Sequence, residues 1–406
     1  MTALVHPFAL PGVVPLRGIV RGCYASDDGT IWNAPTELLP LSTSANSAEL
    51  TAALAAMGLT LTRGSVATVQ TSASTVVTSG IGVDDPRVGQ YGLVLEEART
   101  NLFPSARSVA GIAVGSNDTV SADYAAGPDG VTSADRHQIL SAGYSNYFVP
   151  GSLAARTFSL WIRHATASGP SCIAIEGSSA LNSTADVRTV DTTWRRVSLY
   201  RASGQYYLLN DGRTNYPGTT AGARDVVIDI VQVEAGAFPT EAILTTGATA
   251  TRSGDRLRLT NLASVVRNGV LSFELDFIPK AYSRAGFTFY PLFFAVNATN
   301  YLAFDYVNGT VTCSVNGVAV STAPGGIDWT TGQRFRLFAR IGNGATSVWT
   351  KIANAAAVNR TNATVMASFP STGSLDLMNL GGAQQFSAWS LNFAAYAPNR
   401  RPTWAV

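Results

Sequence analysis

Rings and short polar side chains gather near several expected turns, and their types suit molecular recognition. AGYSNYF carries Tyr144 and Tyr147, while GQYYLLNDG and the residues after it carry Tyr206, Tyr207, Asn210, Asp211 and Tyr216. In the runs TFSLWIRHA and WRRVSLYRA, Trp161, Arg163, Arg196 and Tyr200 alternate with apolar residues and fall on the face opposite Phe158, Leu160, Ile162, Val197 and Leu199. A sugar offers an apolar face of C–H groups that stacks on Trp or Tyr, and hydroxyls that pair with Asn, Asp and Arg. On this ground Tyr144, Tyr147, Trp161, Arg163, Tyr200, Tyr206, Asn210, Asp211 and Tyr216 are the expected carbohydrate contacts. Tyr282, Tyr290, Tyr301 and Trp329 are weaker candidates later in the chain. The plainer alternative is that each ring packs in a core or between subunits, and Trp194 and Trp389 suit that role best.

Residues that would do bond-breaking chemistry are poorly placed. Glu274-Leu275-Asp276 puts two carboxylates on one face of a strand, like the start of the ExDxE signature of laminarinase-type sandwich glycosidases. A retaining glycosidase needs a nucleophile and an acid about 5–5.5 Å apart, and the positions where that acid would sit on the strand, 278 or 279, hold Ile278 and Pro279. Glu96-Glu97 with Arg99 reads as a structural junction. His6, His137 and His164 are scattered with no metal-ligand spacing, and no GxSxG, P-loop or GxGxxG is present. A structural Ca²⁺ on loop aspartates and carbonyls has no EF-hand-like spacing to support it. Non-enzymatic binding without a cofactor is the expectation.

Composition narrows the classes further. The 406 residues exceed one ordinary core, so two or three domains are expected. Charged residues are 13% and hydrophobic ones 46%, which fits a bland surface or extensive burial on assembly, and hence a homo-oligomer, with no residue fixing the number of subunits. A net charge of +2 with no basic stripe argues against nucleic-acid binding. Cys23, Cys172 and Cys313 are too far apart for a zinc module or disulfide framework and suit synthesis in a reducing cytoplasm. Pro7, Pro11 and Pro15 interrupt the N-terminus, no basic stretch leads an apolar one, and no run reaches the roughly 18 apolar residues of a membrane helix. A protein of this kind acting outside a cell leaves by lysis within a particle.

The elements that must position these groups are short strands. One helix is expected in SANSAELTAALAAMGL, with Leu50, Leu54 and Met57 on one face, Ser44, Asn46 or Ser47 as cap and Gly58 as stop. It serves either as a docking or oligomerisation segment or as a helix packed on its own sandwich. Alternation recurs in TFSLWIRHA, SCIAIEG, WRRVSLYRA, GQYYLLNDG and DVVIDIVQVEAG, and again from VLSFELDFI onward. Asn308-Gly309, Asn316-Gly317 and Gly342-Asn343-Gly344 suit tight hairpins. The reading is mainly β: two antiparallel β-sandwich (jelly-roll) domains at 59–260 and 261–406 after an N-terminal segment, 1–58, with one helix.

GLVLEEARTNLFP at 92–104 and VQVEAGAFPTEAILTTGATATR at 231–252 resemble paired segments of phage tail and virion structural proteins, and PDGVTSADR at 128–136 fits between them. Such proteins carry a jelly roll related to carbohydrate-binding modules between these segments. Residues 269–403, ending in NFAAYAPNRRPTW, are similar to a concanavalin-type, laminin-G-like sandwich. The resemblance implies a virion protein, a fibre, spike or tail component, attached to its particle through the N-terminal segment and binding a host surface polysaccharide. A purely structural capsid decoration or spike base, or a polysaccharide depolymerase, are the alternatives. Within the resemblance, Arg99 and Asn101 tie the incoming strand to the sandwich.

Overall fold

The computed structural model describes residues 47–395 apart from interior segments, chiefly 149–154, 177–183, 215–220, 280–291 and 322–334, together with the paired strands Tyr24–Ala25 and Ile31–Trp32. The protein is mainly β, as its alternation requires, with short antiparallel strands in two sandwiches and a single α-helix among the described residues.

The first sandwich is one eight-stranded sheet folded over on itself. Its order is Thr184–Val190, Gly169–Glu176, Tyr206–Asp211, Thr132–Phe148, Arg224–Ala235, Arg156–His164, Arg195–Arg201, with Val114–Ala126 alongside Thr132–Phe148. The fold line is the 17-residue strand 132–148. Its residues 135–139 pair with 224–228, while 144–148 pair with 206–211. One strand thereby serves both layers. Between them lie Phe158, Leu160, Ile162, Ile173, Ile175, Tyr207, Leu209, Val226, Ile228 and Val231, all buried. These are the residues whose alternation the sequence displays; the interior takes one face of each strand.

The second sandwich does not begin at residue 261. Strand Leu59–Thr62 pairs with Arg256–Leu259, which pairs in turn with Leu375–Leu377. Strands Arg87–Gly89 and Gly92–Leu95 extend the other sheet beside Ala388–Ala395, next to Val270–Pro279. Leu59, Leu61, Leu93, Leu95, Leu257 and Leu259 share one core with Leu271, Phe273, Leu275, Leu337 and Ile341. The boundary at 260 is therefore redrawn: the first sandwich is inserted into the second. The pattern of residues 59–95 announces strands without saying which sheet they join. The expected hairpins form at Asn316-Gly317, where both residues take positive φ, and at Gly342–Gly344. Asn308-Gly309 lies outside the described residues.

The helix runs from Ser47 to Ala56, and Gly58, at φ +72°, ends it with its N–H donating to the Ala55 carbonyl. Leu50 and Leu54 are buried in the second sandwich's core. The helix thus packs on its own sandwich, the second of the two roles expected for it; apart from the paired strands at 24–25 and 31–32, residues 1–46 lie outside the described residues.

The connections between the sandwiches form a neck. Arg99–Asn101 pairs antiparallel with Ala250–Arg252, and Asn101 holds the sandwich by donating to the Val231 and Ile243 carbonyls at 3.1 and 2.9 Å. Beneath the neck sits a fully buried ion network. Arg87 pairs with Glu96 at 2.8 Å and with Asp255, Arg63 pairs with Asp255 at 3.1 Å, and Arg252 pairs with Glu96. Burial alone would depress the Arg87 pKa, but Asp255, Glu96 and Glu241 outweigh it and hold the guanidinium well above its ordinary value. For Arg63 burial wins, aided by the like charges of Arg87 and Arg252, and its pKa falls. Glu96 also accepts from the Glu241 amide at 2.9 Å. Reading Glu96, Glu97 and Arg99 as a structural junction agrees with these contacts.

Candidate functional site

The outer face of the layer made by 169–176, 206–211 and 144–148 brings several of the expected residues together. Register places Tyr206 beside Phe148 on one side and Glu176 on the other, and Tyr144 beside Asp211. The Phe148 and Tyr206 rings lie 5.0 Å apart, and Phe148 is 44% exposed, so this pair presents an open apolar platform. The floor is small and apolar: Cys172, Ala174 and Leu208. Arg213 reaches over it, with its guanidinium 4.1 Å from the Tyr144 ring centroid, 2.6 Å from Asp211 and 3.6 Å from Glu176. One arginine thus contacts two carboxylates and a ring. Such a fork holds polar groups where ligand hydroxyls would meet them at no further ordering cost. Cys172 is a buried free thiol, pushed up to about 12 by burial with a smaller contribution from Asp211, so it is inert.

The other expected contacts separate. Trp161 is 1% exposed and packs with Ile230 of the adjoining strand and with Val76 and Ala242 from outside that sheet. It lies on the outward face, as alternation requires, but that face is covered there. Tyr147 turns toward the core, edge-on to Phe103 at 4.6 Å. Asn210 is fully buried opposite Ser145, and neither side chain finds a hydrogen-bond partner. Asp211 is also fully buried and acts through Arg213. Tyr200 is half-buried on a distant strand, Arg163 belongs to the opposite outer face, and Tyr216 lies outside the described residues. Of the later candidates, Tyr301 is half-buried in its strand, while Tyr282, Tyr290 and Trp329 lie outside the described residues.

Sequence reasoning missed Phe148, Glu176 and Arg213. The signal for Phe148 was its i+2 spacing from Asn146 on a strand; Arg213 stands two residues after its partner Asp211, but its other contacts, Glu176 and Tyr144, come from strands 169–176 and 132–148. Glu274 is half-buried on strand 270–279 and has Leu275 and Phe273 on the core side. Further along the strand, Ile278 and Pro279 occupy the ladder positions opposite Trp389 and Ala388.

His137 is buried with Nδ1 3.0 Å from Asp118, an internal pair. Among the described residues no group of three or more His, Cys, Asp and Glu is placed to hold a metal ion. No described helix is long and apolar enough to cross a membrane.

No family model matches the chain, and no curated protein matches it. Among solved structures, the N-terminal CBM22-1-CBM22-2 tandem domain from Paenibacillus barcinonensis Xyn10C aligns over 74% of this chain and 98% of its own, at 11% identity and a TM-score of 0.26. Domains LG4-5 of the mouse laminin alpha1 chain align over 60% of this chain and 82% of their own, at 10% identity and a TM-score of 0.20. At these scores neither alignment carries an argument, and the sandwich architecture stands on the strand pairing itself.

Proposed function

We propose that the protein is a non-enzymatic carbohydrate-binding component of a phage or phage-like particle, a fibre, spike or tail protein that attaches to a host surface polysaccharide. The observation that carries the binding part is the face where Tyr206, Phe148 and Tyr144 surround the Arg213–Asp211–Glu176 fork. Rings receive the apolar face of a sugar, and Arg213 and Glu176 receive its hydroxyls, with Asp211 holding Arg213 in place. Both carboxylates are tied to a guanidinium, which suits holding a ligand and ill suits proton transfer. The particle setting draws on the paired segments at 92–104 and 231–252, with attachment through the N-terminal residues and assembly as a homo-oligomer, a trimer by preference. Repeated weak sites on one particle would raise overall binding by about 10²–10⁴ through effective concentration.

A glycan array and whole-cell adsorption of the purified protein test this reading. Tyr206→Ala is expected to weaken binding on the order of tenfold, about 1.4 kcal/mol, while the melting curve is unchanged. Retained binding in Tyr206→Ala and Tyr144→Ala together would remove this face from consideration. Release of new reducing ends from host polysaccharide would show a depolymerase instead. The purely structural reading draws on the exposed Val66, Val77, Val83 and Val131, which suit subunit contacts; it expects no glycan signal in either assay.

A further inference from the structure

The opposite outer face of the first sandwich carries a second arrangement of rings and cations. Arg136 and Arg163 both lie beside the buried Val227 in the ladder, one on each side of strand 224–235. That spacing sets their backbones about 10 Å apart, two strand separations. The Arg136 guanidinium covers the Tyr124 ring at 4.9 Å, and that of Arg163 covers the Trp194 ring at 5.1 Å. The Trp194 ring is fixed from below, since its Nε1–H donates to the Ala126 carbonyl at 3.2 Å and its body packs against the Trp161 cluster. Tyr124 is 42% exposed.

The two arginines differ in how their charge is met. Arg136 forms a bidentate pair with Asp225 at 2.8 and 2.7 Å. The neighbouring Asp191 is held by Arg195 at 2.8 Å. Arg163 has no carboxylate partner among the described residues. Its one hydrogen bond goes to the adjacent His164 carbonyl at 3.2 Å, through Nη1. Burial lowers its pKa, and Tyr124 offsets this in part. A half-buried guanidinium resting over an indole, with donors uncommitted and no counter-ion among the described residues, is a preorganised receptor for a planar anion. The exposed Tyr124 ring beside it adds a stacking surface for the body that bears that anion.

We propose that Arg163, with Trp194 and Tyr124, forms a second ligand site that takes the carboxylate of a hexuronic acid unit. The saccharide part of this assignment rests on the carbohydrate-binding reading given above; the anion part rests on Arg163 alone. The guanidinium would accept the carboxylate side-on, and the sugar ring would lie along Tyr124. A chain alternating acidic and neutral sugars would then meet different faces of the same sandwich.

Calorimetric titration of the full-length protein with galacturonate and glucuronate trimers, and with their methyl esters, decides it. The acids are expected to bind at least tenfold tighter than the esters, with affinity falling as salt is raised. Arg163→Gln should erase the difference between acid and ester, and Arg163→Lys should keep part of it. Tyr206→Ala should leave the difference unchanged. Equal affinity for acid and ester in the unaltered protein overturns the proposal while leaving the tyrosine face intact. So does an acid preference that survives Arg163→Gln in a variant with an unchanged melting curve. Loss of neutral binding alone in Tyr206→Ala, with the acid preference kept, supports both sites separately.

Discussion

Asp229 is a buried carboxylate whose surroundings set a pH dependence. Its side chain is fully enclosed at a strand irregularity opposite Trp161, where the next residue, Ile230, takes φ +46°. Burial, aided by Asp129, outweighs the Ile230 N–H and Arg107, 4.0 Å away, and its pKa is pushed up to about 7. The folded state therefore keeps its proton between about pH 4 and 7, where the unfolded chain has lost it. Stability from this group is greatest at the acid end and falls as pH rises to about 7, by a few kcal/mol at roughly 1.4 kcal/mol per pKa unit. Asp229→Asn is expected to flatten that slope in urea unfolding at pH 5 and pH 8; an unchanged slope would refute the assignment. Gly127 is constrained by the same group, since a Cβ there would stand 1.9 Å from the Asp229 carboxylate. Gly127→Ala should cost about 1–3 kcal/mol in the same assay. None of this was legible in DVVIDIVQVEAG, because what buries Asp229 comes from residues 107 and 127–133. Tyr144 and Tyr147 teach the same lesson. Both stand in AGYSNYF, yet register sends one to the outer face and the other against Phe103.

The strands were legible because their alternation is an energetic requirement: each buries one face against a partner layer. The helix was legible for a related reason, since Leu50 and Leu54 repeat with the helical period and Gly58 permits the left-handed stop. Its partner was not, because an apolar stripe says only that something covers it. Here the cover is the second sandwich. Leu54→Ala should lower the stability of that sandwich by about 2–5 kcal/mol, the usual cost of a cavity in a packed core. Hydrogen exchange would show the loss in strands 59–62 and 256–259, leaving the first sandwich protected. Uniform loss across both sandwiches would mean they unfold as one unit. The neck makes that a sharp question. Glu96→Gln removes the charge that meets Arg87 and Arg252, and about 3–5 kcal/mol is the expected penalty for leaving such cations short of a buried partner. A thermal shift near zero would show that water or rearrangement compensates there.

The paired segments at 92–104 and 231–252 owe their presence together to topology. They are the incoming and outgoing chains of an inserted sandwich, and they must meet: Arg99–Asn101 pairs with Ala250–Arg252, and the Asp255 amide donates to the Glu96 carbonyl at 2.8 Å. The sequence displayed both segments and their order, but its natural division at 260 cuts through strands that belong to one core. The consequence can be tested by dissection. A fragment of residues 261–406 lacks Leu59, Leu61, Leu93, Leu95, Leu257 and Leu259, all buried in that core. It should be insoluble or bind hydrophobic dyes. A chain in which residues 98–252 are replaced by a short flexible linker keeps those strands, and its ends already lie side by side, so loop closure adds little. It should fold cooperatively. A stable 261–406 fragment together with an unfolded linker chain would reverse the assignment of residues 59–95 to the second sandwich.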